Sequence, residues 1–241
     1  MGYLMGSRPK HLVVFSGAGI SAESGLSTFR DFGGFWQHHR IDEVASLEAW
    51  RKQPREVLKF YNEWRKQVMQ AQPNPAHIAL KNLERHYQVS IITQNVDDLH
   101  ERAGSSNVLH LHGEIFKARS TRNPELVYHL QGPDLKWGDT CELGSQLRPH
   151  IVWFGEEVTQ FNQAAHLMRQ ADILMVVGSS LAVYPASSLL QYVPEHAPKY
   201  IIDPRQPRMA RMQNLSFIQS MASKGVPQLA RELIALESLA H

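Results

Sequence analysis

Along this 241-residue chain, short and nearly unbroken apolar runs alternate with longer stretches in which apolar residues return every three or four positions. The runs at 11–15, 89–92, 151–154, 173–177 and 200–202 are rich in Val and Ile. Their length and lack of polar alternation predict parallel strands buried on both faces. Residues 55–70 carry Val57, Leu58, Tyr61, Trp64 and Val68 at helical spacing, and 75–86 and 226–239 read as further helices, the last started near Pro227. Alternation of this kind predicts an α/β fold around a parallel sheet. Most of the runs end in small or polar residues, so functional loops are expected at the carboxyl ends of the strands, where open α/β sheets form their ligand crevice.

Two stretches break the alternation. Residues 41–73 are helical in pattern, and 117–149 are polar and rich in turn residues. Both read as parts of a smaller module inserted into the main sheet domain, giving a body of 1–40, 74–116 and 150–241 and an insert of 41–73 and 117–149. No repeat or low-complexity tract interrupts this division.

Composition narrows the class. With 43% hydrophobic and 20% charged residues the chain has the balance of a soluble globular protein. A net charge of +2, from 25 basic and 23 acidic residues, gives no field that would mark nucleic acid or a membrane as the partner. Cys141 is the single cysteine, which excludes an internal disulfide framework and a multi-cysteine metal site and points to a reducing compartment. The apolar stretch at the start is too short for a secretory signal, and Gly6 stands where a myristoylation pattern needs Ser or Thr; a cytoplasmic location is expected.

Candidate chemistry gathers at the strand ends. Ser16-Gly17-Ala18-Gly19-Ile20-Ser21-Ala22-Glu23-Ser24-Gly25 follows the first run. Its glycines would let backbone N–H groups approach a pyrophosphate, although the spacing is not GxGxxG and a plain tight turn has the same composition. Thr93-Gln94-Asn95-Val96-Asp97-Asp98 follows the second run, and His110-Leu111-His112-Gly113-Glu114 lies just beyond. An amide and a carboxylate can fix a carboxamide, and a histidine moves protons near neutral pH; the alternative is helix capping and a core histidine. Val152, Trp153, Phe154, Gly155 and Glu156 form either an edge that accepts a peptide or a core strand entering a turn. Gly178, Ser179 and Ser180 suit close approach to a nucleotide, or an ordinary strand-to-helix turn.

Taken together, GAGISAESGLSTFRD, TQNVDDLHERAG, HLHGE, VWFGE and VGSSLAVYPA, in this order over most of the chain, resemble the signature set of the sirtuins, most nearly the bacterial, class III type. Five ordered motifs are far more specific than any one of them. The resemblance implies a large Rossmann-like domain with a small module of helices and a ribbon, NAD as cofactor, and an acyl-lysine protein or peptide as partner in the cleft between them. It implies that Gly17, Ala18, Gly19, Ser24, Phe29 and Arg30 belong to the NAD loop, that Gln94 contacts ribose, and that Asn95 and Asp97 line the nicotinamide pocket. Gly178, Ser179 and Ser180 would receive the phosphate and adenosine side. The segment 152–156 would pair with substrate backbone, and Tyr61 and Trp64 would line the acyl pocket. The implied reaction is attack of the acyl oxygen on the nicotinamide-ribose carbon with loss of nicotinamide, followed by proton removal by His112, releasing O-acyl-ADP-ribose.

The chain departs from that family in three places. Most sirtuins hold a structural zinc with two cysteine pairs, whereas 117–149 offers only Cys141, with Ser120, Gly138 and Gly144 nearby; no zinc is expected. The insert is expected to rest instead on Leu126, Tyr128, Leu130, Leu135 and Trp137. Second, acidic-acyl sirtuins carry Tyr-x-x-Arg; here Tyr61 is followed by Trp64, with Arg65 one position on and so about 100° round the helix. With Ile41 where such enzymes have a small residue, this favours a neutral acyl group, unless Arg65 bends back. Third, Asp203 replaces the Asn expected for the adenosine ribose; it can accept ribose hydroxyls but would repel a 2′-phosphate, so NAD is expected. ADP-ribosyl transfer, NAD hydrolysis and a non-catalytic acyl-lysine or NAD-binding module are the competing functions. Asn95, Asp97 and His112 together argue against the last.

Overall fold

The computed structural model of the chain describes residues 8–28 and 41–239. In chain order the elements are β1 (His11–Ser16), α1 (Ile41–Val44), α2 (Leu47–Lys52), α3 (Pro54–Gln70), α4 (Pro75–Leu83), β2 (Gln88–Thr93), α5 (Leu99–Arg102), β3 (Val108–His110), β4 (Gly113–Ser120), β5 (Val127–His129), β6 (Leu147–Ile151), α6 (Phe161–Arg169), β7 (Ile173–Val177), β8 (Lys199–Asp203), β9 (Leu215–Gln219) and α7 (Ala222–Leu239).

Six of these strands pair in parallel in the order β3-β2-β1-β7-β8-β9. Relative to one another along the chain they run 3-2-1-4-5-6, the doubly wound dinucleotide-binding order, whose direction of winding reverses between β1 and β7. Every residue of β1 is buried because successive side chains enter opposite, fully covered faces. Leu12 and Val14 join Ile173, Met175 and Val177 under α4 and α7. Val13 and Phe15 join Leu174 and Val176 under α6 and the short 3-10 helix Ala186–Tyr192. The register sets Ser16 beside both Thr93 and Val177. Three strands therefore end flush, and their loops emerge side by side.

A second, antiparallel sheet has the order β5-β4-β6 and leans on α3. That helix begins with Pro at its first position, where the missing N–H costs no hydrogen bond. Its stripe of Val57, Phe60, Tyr61, Trp64 and Val68 packs against Ile115, Ile151 and Trp153.

Several sequence expectations change. The apolar run 151–154 is not a parallel strand: Leu147–Ile151 pairs antiparallel with β4, and the residues after it leave the sheet to bridge Ser46 through Phe154. Its apolar character comes from contact with the aromatic stripe of α3. The final helix starts at Ala222, and Pro227 lies inside it. Its first turn is held by the Glu23 carboxylate, which accepts from Ser223 N at 2.8 Å and Ser223 Oγ at 2.6 Å. The insert's apolar support is Leu135 with Leu58 and Ala118, flanked by Trp50, Leu130 and Leu147; Trp137 is 50% exposed. A strand of three residues, such as β3 or β5, is too short to show a period in sequence.

At the switch point three glycines touch. A Cβ on Gly17 would lie 2.8 Å from Gly178 O, and one on Gly19 2.7 Å from Gly178 Cα. One on Gly178, whose φ is +58°, would lie 2.4 Å from Ile20 N. Gly178→Ala therefore meets backbone in a conformation that disfavours a side chain. It should cost about 2 to 4 kcal/mol of folding stability, read from urea unfolding; a loss within experimental error would show that the two loops can separate.

Candidate active site

The loop after β1 is fastened to its neighbour by backbone alone, with Gly17 N donating to Val177 O at 3.0 Å and Gly19 N to Gly178 O at 2.9 Å. Beneath it, Ser16 Oγ donates to Thr93 Oγ1 at 2.9 Å, and His100 Nε2 lies 3.0 Å from Ser16 Oγ. Thr93 Oγ1 also accepts Asn95 N at 3.0 Å, so the buried layer under the loops is hydrogen-bonded. Asn74 Nδ2 holds the far end of the loop at Ile20 O, 2.7 Å, and Ser24 Oγ, 3.0 Å. Ala18, in a single 3-10 turn, stands between the two glycines.

Above this layer Asn95 and Asp97 are joined through Ser21. Asn95 Nδ2 donates to Ser21 Oγ at 3.1 Å, and Ser21 Oγ donates to Asp97 Oδ2 at 3.0 Å. Asp97 Oδ1 accepts Leu99 N at 3.2 Å. One oxygen of Asp97 thus accepts the first N–H of α5 while the other accepts the Ser21 hydroxyl. Burial pushes its carboxyl up to about 6, against the pull of the Leu99 and Ser21 hydrogen bonds. Gln94 donates through Nε2 to Ser179 Oγ at 2.8 Å, which ties the β2 loop to the β7 loop.

His112 lies in the bend that joins β3 to β4. Its Nδ1 lies 3.1 Å from Gln94 O; a carbonyl only accepts, so Nδ1 carries the proton and Nε2 presents a lone pair. Burial lowers its pKa below 6.5, partly offset by that hydrogen bond. The ring is oriented by that bond, and burial favours its neutral form.

The aromatic wall comes from α3 and the segment after β6. Trp153 is buried and donates from Nε1 to Tyr61 Oη at 2.9 Å, with Trp50 5.6 Å away between ring centroids. Trp64, 5% exposed, belongs to the same cluster. Arg65 does not bend back toward it. Arg65 is fully buried, donating from Nε to Ile115 O at 2.7 Å and from Nη1 to Asn62 Oδ1 at 2.9 Å and to Pro133 O.

In the run 152–156, Phe154 is 57% exposed while Trp153 points into the core. Most of its N–H groups are already bonded: Val152 N to His112 O, Phe154 N to Ala45 O and Glu156 N to Trp153 O, each at 2.9–3.0 Å, and Trp153 N to Glu156 Oε2 at 2.8 Å. The Glu156 carboxylate is held by Arg148 at 2.7 and 2.9 Å and Arg119 at 2.9 Å. Arg148 in turn lies 3.4 Å over the Trp153 ring. Glu156 is therefore an anchor of this segment, and a peptide pairing here is left with Gly155 and the outward carbonyls.

The remaining expected residues are less central. Ser180 Oγ accepts Ala182 N at 3.4 Å, and Asp203 Oδ1 accepts Arg205 N at 2.8 Å. Phe29, Arg30 and the side chain of Ile41 lie outside the described residues. Ser21, Asn74, His110 and Arg148 were not singled out in sequence. Ser21 and His110 stand inside quoted motifs, whereas Arg148 has no local signal, since only the fold brings it onto Glu156. In the ribbon Cys141 Sγ lies 3.3 Å from Ser120 Oγ and 3.1 Å from Ser145 Oγ. Among the described residues no three His, Cys, Asp or Glu side chains converge as a metal site, and this serine-rich trio does not fit tetrahedral zinc.

Residues 17–185 match the model of the Sir2 family. An NAD-dependent protein deacylase of Helicobacter pylori is 52% identical over 229 residues, 95% of this chain and 97% of that protein. One from Bacteroides thetaiotaomicron is 46% identical over 230 residues, 93% and 98% of the two chains. A Sir2 homologue solved with NAD has a TM-score of 0.86 at 37% identity, covering 95% of this chain and 91% of that one. A Sir2 structure solved with a deacetylated peptide and 3′-O-acetyl ADP-ribose has a TM-score of 0.79 at 29% identity, covering 95% and 94%.

The raised Asp97 pKa fixes a sign. The folded state holds its proton from the ordinary value of 3.8 up to about 6, so this group's contribution to stability falls as pH rises through that window. Asp97→Asn should remove the fall, and the stability difference between variant and wild type should grow in the variant's favour by about 2 kcal/mol from pH 4 to pH 7. Urea unfolding at each pH measures it; a difference independent of pH would place the Asp97 proton elsewhere.

Proposed function

The chain belongs to the Sir2 family, and on that premise we propose how its cleft works as an NAD-dependent protein-lysine deacylase. The observation that carries the reading is the pairing of a neutral His112, its Nε2 lone pair presented, with the Asn95–Ser21–Asp97 chain one turn of loop away. The body of 1–40, 74–116 and 150–241 holds NAD, and the insert of 41–73 and 117–149 closes over it, with β4 crossing the boundary. Gly17, Ala18, Gly19 and Ser24, with Phe29 and Arg30, form the cofactor loop. Gln94 faces ribose, Asn95 and Asp97 the nicotinamide carboxamide, and Gly178, Ser179, Ser180 and Asp203 the phosphate and adenosine side. NAD, when bound, supplies an electrophilic sugar carbon and a nicotinamide leaving group.

His112 removes a proton from a ribose hydroxyl, and the Gln94 carbonyl stabilises the resulting imidazolium through Nδ1–H. The buried floor keeps water from the reacting carbon. The acyl-lysine enters beside Phe154 and Gly155, its backbone pairing with the outer edge of 152–156, and its acyl group faces Tyr61 and Trp64. The protein acts on acylated proteins in the cytoplasm; among the described residues no helix is long and apolar enough to cross a membrane.

His112→Ala should retain NAD binding by calorimetry and lose about 10²- to 10⁴-fold in deacylation. Because the His112 pKa is lowered, the acid limb of wild-type kcat/KM should lie below pH 6.5, activity falling as the ring is protonated. NAD consumption without O-acyl-ADP-ribose, followed by mass spectrometry, would favour ADP-ribosyl transfer or hydrolysis instead.

The aromatic wall also sets the acyl class. With Arg65 bonded to backbone carbonyls and Trp64 in its place, an acidic acyl group would be buried without a cation, which costs several kcal/mol. Acetyl or another neutral acyl peptide should be turned over at least roughly 100-fold faster than succinyl peptide, and Trp64→Arg should narrow the gap. Equal rates on both peptides would refute the assignment of this wall.

A further inference from the structure

The motif His110-Leu111-His112 ends β3 at His110 and bends at Leu111 and His112 before β4 begins, with Leu111 entering the core. The two histidines grip successive carbonyls of one turn. His112 Nδ1 lies 3.1 Å from Gln94 O, and His110 Nδ1 lies 2.8 Å from Asn95 O. The rings differ at the other nitrogen. That of His110 lies 2.8 Å from Glu101 Oε1, on α5. A carbonyl and a carboxylate are both acceptors, so a ring bonded to one at each nitrogen satisfies both only with two N–H groups, as an imidazolium.

We propose that His110 and Glu101 form a positioning pair, an imidazolium–carboxylate brace that clamps the Asn95 carbonyl and so fixes the Asn95–Ser21–Asp97 pocket beside His112. The role in nicotinamide placement rests on the deacylase reading of the cleft; the doubly protonated ring rests on geometry alone. Two histidines of one motif thus do opposite work. His112 keeps a lone pair for proton transfer, and His110 gives up both of its own to hold the turn.

The surroundings agree. The His110 side chain is 8% exposed, and burial by itself would drive off its second proton. The Glu101 carboxylate, the Asn95 carbonyl and Glu114 outweigh that, and the pKa is raised above 6.5. The other charged or titrating groups that feel the ring are Asp97, whose carboxyl it favours in the ionised form, and His100, which it helps keep neutral; Lys117 acts on Glu101 from β4. A raised histidine pKa means that the brace is complete below pH 6.5 and is lost as pH climbs through the folded value.

The test is ¹⁵N-histidine NMR with enzyme assays on wild type, His110→Gln, which identifies the signal, and Glu101→Gln, which keeps an acceptor but removes the charge. In the wild type both His110 nitrogens should be protonated near pH 7, and in Glu101→Gln only Nδ1. Glu101→Gln should weaken nicotinamide inhibition and raise the NAD KM roughly 10- to 100-fold, leave the peptide KM unchanged, and recover as pH is lowered. A singly protonated His110 in the wild type, or a folded Glu101→Gln with unaltered NAD KM and nicotinamide inhibition, overturns the brace. A doubly protonated ring in a protein that consumes no NAD supports the brace and rejects the deacylase reading, so the two failures are distinct.

Discussion

The arrangement depends on one contact, the meeting of backbone with backbone at Gly17, Gly19 and Gly178. Each of these positions has no room for a Cβ, and the hydrogen bonds that join the loops pass between main-chain atoms. Parallel pairing with flush ends delivers Ser16, Thr93 and Val177 to one level. Only glycine then lets the β1 and β7 loops close to hydrogen-bonding distance above them. The β2 loop reaches both of these loops, Gln94 bonding Ser179 of the β7 loop and Asp97 accepting from Ser21 of the β1 loop.

What closes above the glycines is a polar layer whose burial works against charge. Burial drives Asp97 up and His112 and His100 down, in each case toward the neutral form. In this layer amide, hydroxyl and carboxyl groups lie within reach of one another, and the His112 ring presents a lone pair at Nε2. His110 is the exception, and it is charged because a carboxylate from another element reaches it. Environments that push similar groups apart are how one fold separates the roles of acid, base and support.

The parts of this legible in sequence are those with a local cause. Strands buried on both faces write continuous apolar runs, so β1, β2, β7 and β8 were predictable, as was the site of the loops at their ends. The ordered motifs reached further and pointed to Asn95, Asp97 and His112 together. What escaped has non-local causes. The run 151–154 has the composition of a central strand, but its apolar side chains serve α3, and nothing in the run says so. Arg148 meets Glu156 only because a turn folds the chain back after β6, and β9 is an edge strand with partly exposed residues whose pattern resembles a loop. Trp137 was expected inside because it is large and apolar, yet a surface cation, Arg55, lies over its ring and helps it tolerate solvent.

The aromatic wall shows how the needs of the fold select chemistry. Two arginines approach it, and both are committed. Arg65 serves carbonyls where the small sheet meets α3, and Arg148 stacks on Trp153 while holding Glu156. Arg65 Nη2 and Arg148 Nε have no partner among the described residues, but the other donors of both are bonded, so swinging either guanidinium out to an incoming carboxylate would leave those carbonyls or that carboxylate unpaired. Moving the arginine of a Tyr-x-x-Arg pair by one residue rotates it about 100° on the helix, from the wall to the sheet. The same guanidinium that would define an acidic-acyl pocket becomes part of the scaffold, and the vacated position takes the indole of Trp64. On the proposed reading of the wall, selectivity for a neutral acyl group follows from where the helix face needs its charge.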